Sequence, residues 1–154
     1  MSTSNDKTIS LLQKLTEICE DGAKGYKTAA EGVENSELKT LFTQYAVERG
    51  RFAAELQQEI KGLGGKASDS GSVAGALHRG WLGIKAAVTG KNDHAVVAEC
   101  ERGEDAAKEA YQDAVNSSDL PGTILPIVQR QLAQVVAAHN KVKAIRDNNL
   151  TQAR

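Results

Sequence analysis

Apolar residues recur along the chain at alternating steps of three and four, the spacing that lines one face of an α-helix. Leu12, Leu15, Cys19, Gly22, Tyr26, Ala29 and Val33 form one such seam. They predict a helix from about Asp6 to Val33, with Asn5 or Asp6 as its cap. The polar turn Glu34-Asn35-Ser36 follows, and a link that short makes the next helix antiparallel. The second helix runs from about Glu37 to Leu63. Its seam is Leu38, Phe42, Tyr45, Arg49, Phe52, Leu56, Ile60 and Leu63, and Gly62, Gly64 and Gly65 stop it.

Residues 64–72, rich in Gly, Ser and Asp, read as a loop. A shorter helix is expected from about Val73 to Val88, with Leu77, Trp81, Ile84 and Val88 on one face. Gly90-Lys91-Asn92-Asp93 closes it and caps a third long helix, about His94 to Val115, with the seam Val97, Cys100, Glu104, Ala107, Tyr111 and Ala114. After the turn from Asn116 to Gly122, Thr123 or Asp119 caps a fourth long helix that reaches about Asn148. Val128, Leu132, Val135, His139, Val142 and Ile145 or Arg146 form its seam, and Pro126 falls in its first turns.

The chain therefore reads as one all-α domain over residues 1–154, a four-helix bundle with one extra short helix. The link between the second and third long helices is much longer than the other two. A helix of about 25 residues is ~38 Å long, and this link can travel that distance. The second and third long helices then run parallel, the one-crossover layout of ferritin-like bundles. A short repeat agrees with two related hairpins: Cys19-Glu20-Asp21-Gly22 in the first helix returns as Cys100-Glu101-Arg102-Gly103 in the third. Each copy is followed by a seam tyrosine, Tyr26 and Tyr111, at unequal offsets.

Composition narrows the function classes. A net charge of −1 gives no field to attract nucleic acid or an anionic membrane, and no apolar run approaches a bilayer span. With a polar start and no h-region, a cytoplasmic setting is expected. Two cysteines are too few for a disulfide framework and have no zinc-ribbon spacing.

With the C-E-x-G pair, Glu48-Arg49-x-x-Phe52, Trp81 and His139, the chain resembles a bacterial family of uncharacterised ferritin-like four-helix-bundle proteins, a domain of unknown function. The resemblance covers roughly residues 6–148. It implies the fold, a bacterial cytoplasmic setting and a stress-linked role, and it implies no substrate.

Ferritin-like di-metal bundles draw Glu from two helices and Glu-x-x-His from the other two. Here His139 has Val136 three residues before it, and Arg49 stands opposite with Ala46 before it. Both motifs are broken, and a guanidinium has no lone pair to give a metal. Glu20, Glu101 and His139 are the remaining weak candidates for a single-metal site. Arg49 and Glu104 lie on apolar seams, which predicts a structural polar core of Arg49 paired with Glu104 or Glu101, completed by His139 or a tyrosine. Cys19 and Cys100 read as small buried hydrophobes, and His78 and His94 as exposed. No catalytic constellation, P-loop or dinucleotide fingerprint is present, so no enzyme activity and no cofactor are expected. The leading expectation is a non-enzymatic structural or interaction protein, in which the Trp81 face covers one side of the bundle, with a homodimer interface or a membrane-surface patch as the alternative use of that face. The alternative is a metal-binding or oxidative-stress protein with a degenerate ferritin-like site.

Overall fold

A computed structural model describes residues 3–66 and 80–148. It contains α1 (Thr3–Gly32), α2 (Ser36–Gly62), α3 (Ile84–Thr89), α4 (Asp93–Asn116) and α5 (Leu125–Asp147). The four long helices form the bundle, α3 is the extra short helix, and no strand occurs among the described residues.

The helix ends show which local signals decide. Asn35 caps α2 by accepting from Leu38 N, and Asn92 caps α4 by accepting from Ala95 N. The first helix begins at Thr3, ahead of the expected caps Asn5 and Asp6. At α5 neither Thr123 nor Asp119 caps. Ile124 holds that position with no side-chain bond, and Pro121 O accepts from Ile124 N and Leu125 N instead. Pro126 sits in the first turn, where its missing N–H costs nothing. Among the described residues of the expected crossover helix, Trp81 lies in a turn and Ile84–Thr89 is α-helical. The part before residue 80, with Leu77 and His78, lies outside the described residues.

Side-chain pairs fix the helix directions. Lys39 meets Ala30 and Gln57 meets Glu20, so α1 and α2 are antiparallel. Tyr26 meets Glu104 and Cys19 meets Tyr111, so α1 and α4 are antiparallel as well. It follows that α2 and α4 run the same way, and α5 returns against α4 through Tyr111–Gln131 and Asp105–His139. The link between α2 and α4 must therefore cross the length of the bundle. It leaves beside the start of α1, where Gln13 donates to Lys66 O, and arrives at the other end, where Val88 packs on Gly32. There the Asp93 carboxylate accepts from Glu34 N and Asn35 N, tying the start of α4 to the α1–α2 turn.

The seam residues of α1 and α4 are all buried, as are Phe42, Leu56 and Ile60 of α2. On α5 the buried residue is Gln131, while Leu132 is half-buried. The apolar core falls into two clusters, one built on Leu15, Leu56 and Tyr111 and the other on Tyr26, Phe42 and Val97. Arg49 and Glu104 occupy the level between them along α2 and α4. No helix among the described residues is long and apolar enough to cross a membrane.

Candidate functional site

Arg49 lies near the middle of α2 and Glu104 near the middle of α4, and both are withdrawn from water, at 1% and 0% exposure. Arg49 Nη2 donates to both carboxylate oxygens of Glu104, each at 2.6 Å. The Tyr26 hydroxyl donates to Glu104 Oε2, and the Arg49 guanidinium carbon stands 5.7 Å from the Tyr26 ring centroid. On the α1 side the arginine packs against Gly22, where a Cβ would meet Arg49 Cγ and Nη1 at 3.4 Å, an ordinary contact distance.

Burial and neighbouring charges shift two groups of this layer, Arg49 and Tyr26. Burial opposes a charged Arg49, but Glu104, together with Tyr26 and Cys19, outweighs it and raises the guanidinium above its ordinary range. Burial first, and then the Glu104 charge, push the Tyr26 phenol well up. Arg49 Nε has no hydrogen-bond partner among the described residues, so the pair is not fully satisfied. Such a pair contributes little net stability, but loss of either member leaves the other charge stranded.

A second chain of polar groups runs through the neighbouring core cluster. Tyr111 donates to Gln131 Oε1 at 2.6 Å. Its single hydroxyl proton is thereby used, so the Cys19 thiol, 3.0 Å away, is the donor in their contact. Gln131 Nε2 continues to Glu55 Oε1 at 2.8 Å. Burial pushes the Cys19 thiol up to about 11, and it drives Cys100 well up too. Both thiols are free, and they belong to different core clusters. A protonated, enclosed thiol is a poor nucleophile.

The remaining sequence candidates separate. His139 does not join the Arg49 layer: its Nε2 lies 2.7 Å from Asp105 Oδ1 and 3.9 Å from Glu101 Oε2. Glu101 does not reach Arg49 either, because it pairs with Arg146 on α5. Glu20 faces α2, where Gln57 donates to it at 3.2 Å, far from the other two metal candidates. His94 is half-buried, with Nδ1 enclosed and no partner among the described residues, where exposure was expected. The pattern missed Gln131 and Asp105. Gln131 and Leu132 both fit between Val128 and Val135, and spacing cannot choose between them. Asp105 had a readable signal, since it lies four residues after Glu101 and shares its helix face.

Trp81 shows a different use of glycine. Its ring sits against Gly25 of α1 and Gly103 of α4, so close that a Cβ at either would overlap it, and it meets Tyr26 edge-on at 5.0 Å between centroids. The crossover is thereby anchored on both helices at the level of the polar layer.

No curated protein matches the chain. A family model described as a domain of unknown function (DUF2383) matches residues 7–117, which span α1 to the end of α4 and include both C-E-x-G segments, Arg49, Trp81 and Glu104, and the chain belongs to that family.

Proposed function

We propose that this protein is a non-enzymatic helical-bundle scaffold with a ferritin-like arrangement, acting through its surface as a structural or interaction protein. The observation that carries the reading is the buried Arg49–Glu104 pair. It fills the middle of the bundle with a fixed cation at the level where a di-metal protein needs lone-pair donors. Ala46 and Val136 stand where the two motif carboxylates would be. The thiols nearby are held protonated by burial, which leaves the core without an activated nucleophile. The resemblance read from the sequence adds a bacterial, cytoplasmic and stress-linked setting to this reading.

The Trp81 face does not offer a homodimer contact, because Trp81 and Ile84 are buried against the bundle, and the large apolar side chains exposed among the described residues are Val47 and Leu82, at 52% and 73%. Elemental analysis of protein purified without chelators or a metal-affinity tag tests the central claim. No pair of iron or manganese ions per chain, and no ferroxidase turnover, is expected. Two stoichiometric ions or turnover overturns the reading.

A further inference from the structure

We propose that Glu101, Asp105 and His139 form a site for one zinc-class divalent ion at the edge of the bundle, clamping α4 to α5. The inference goes beyond the scaffold reading and does not depend on it. Its ground is a convergence of three ligands, two carboxylates and an imidazole, from two helices. Glu101 and Asp105 are four residues apart on α4 and share a face, and His139 reaches them from α5. One ligand atom from each lies within 4.8 Å of the other two.

On Glu101 and His139 the atoms that would not bind metal are already occupied. Arg146 Nη1 holds Glu101 Oε1, which leaves Oε2 turned toward the histidine. Arg146 is itself anchored by Asp147 Oδ1 through Nε at 3.1 Å and Nη2 at 2.8 Å. His139 Nδ1 faces Asn140 Oδ1 at 3.2 Å, which orients the ring so that Nε2 points at the acids. Bonds from outer groups of this kind are what fix metal-binding imidazoles and carboxylates in place.

Distances and chemistry select the ion. A tetrahedral ion with bonds of ~2.1 Å keeps its ligand atoms ~3.4 Å apart. The Nε2 separations of 2.7 Å to Asp105 and 3.9 Å to Glu101 bracket that value, and the two acids lie within 4.8 Å of each other, so side-chain rotation about this arrangement would seat the ion. Imidazole with carboxylate, and no thiolate, suits Zn2+ and its neighbours, whereas Mg2+ and Ca2+ prefer oxygen throughout. His139 is 6% exposed, while the Asp105 side chain is 56% exposed. The site thus has a dry wall and an open side, where water takes the fourth position.

Calorimetric titration of the full, untagged chain with Zn2+ alone tests this, alongside Co2+ absorption and Zn2+-dependent shifts in Tm. One Zn2+ per chain is expected, with a rise in Tm. His139→Gln and Asp105→Asn should each weaken binding at least ~10-fold and abolish the shift. Asp105 is mostly solvent-exposed, so its variant keeps the test valid if the histidine variant folds poorly; far-UV circular dichroism checks both. His94→Gln should bind as the parent does. No Zn2+ binding by the parent chain, unchanged binding in Asp105→Asn, equal loss in His94→Gln, or thiolate charge-transfer absorption from Co2+ overturns the proposal.

Discussion

Cys19-Glu20-Asp21-Gly22 and Cys100-Glu101-Arg102-Gly103 are nearly the same sequence on two antiparallel helices, and the bundle puts them to different uses. In both, the cysteine is fully buried. Because α1 and α4 run in opposite directions, Cys19 meets the tyrosine of the other helix, Tyr111. Cys100 in turn falls in the Tyr26 cluster. The glycines diverge. Gly22 faces the Arg49 side chain from α2 with space for a Cβ at ordinary contact, whereas Gly103 receives the Trp81 ring from the crossover with no such space. The glutamates diverge too: Glu20 accepts from an amide, Gln57, and Glu101 from a cation, Arg146. A small residue in a helix offers a space, and what fills it depends on which segment is packed opposite.

The largest effect that would break this comparison comes from the occupant of the first space. Arg49→Met or Glu104→Leu is expected to cost roughly 3–5 kcal/mol in urea unfolding, because each strands a buried charge. The double variant should cost far less than the sum. Single-variant costs well below about 1 kcal/mol, the behaviour of exposed pairs, would refute a desolvated layer.

Alkaline pH tests what the two copies share. The Cys19 thiol is raised from 9.0 to about 11, so the folded chain holds a proton that the unfolded chain releases. Its contribution is fully present below pH 9 and is lost as pH rises through about 11. The shift corresponds to a loss on the order of 2–3 kcal/mol. Stability measured between pH 8 and 11 should fall in that window, and Cys19→Ala should flatten the slope. A parent profile level across the window would contradict an enclosed thiol.

The glycines sharpen the contrast directly. Gly103→Ala forces Trp81 from its seat and should destabilise by about 1–3 kcal/mol, with a shift in the emission of this single tryptophan. At Gly22→Ala the new methyl meets Arg49 at ordinary contact distance, and better helix propensity favours the folded state by up to ~1 kcal/mol. Equal effects at the two positions would erase the distinction. Tyr111→Phe removes the donor to Gln131 and should cost about 1 kcal/mol, leaving the Trp81 emission unchanged.

The seams were legible because each helix buries one stripe and leaves the rest wet. That same rule exposed Arg49 and Glu104 as charges in apolar positions. Gln131 escaped because two adjacent residues satisfy one helical period. His139 was recognisable as a core residue, but its place outside the Arg49 layer was not, since Glu101 and Asp105 share a face of α4 turned away from the one on which Glu104 meets Arg49. The crossover read as a longer helix than the described residues show, because the apolar spacing at Trp81 serves a turn that inserts the indole between α1 and α4.

By itself, the sequence determined four long helices, their burial stripes, the polar turns and the parallel course of α2 and α4. These depend on periodicity and link length, which are local properties of the chain. Only the tertiary structure decided that Glu104 rather than Glu101 receives Arg49, that Trp81 and not a second arginine occupies Gly103, and that Asp105 completes the cluster at His139. The physical reason is that a helix face specifies which residues turn inward, while the rotation and axial offset of neighbouring helices specify which of them meet. Those offsets are set by the packing of all the helices together, and no single stretch of sequence encodes them.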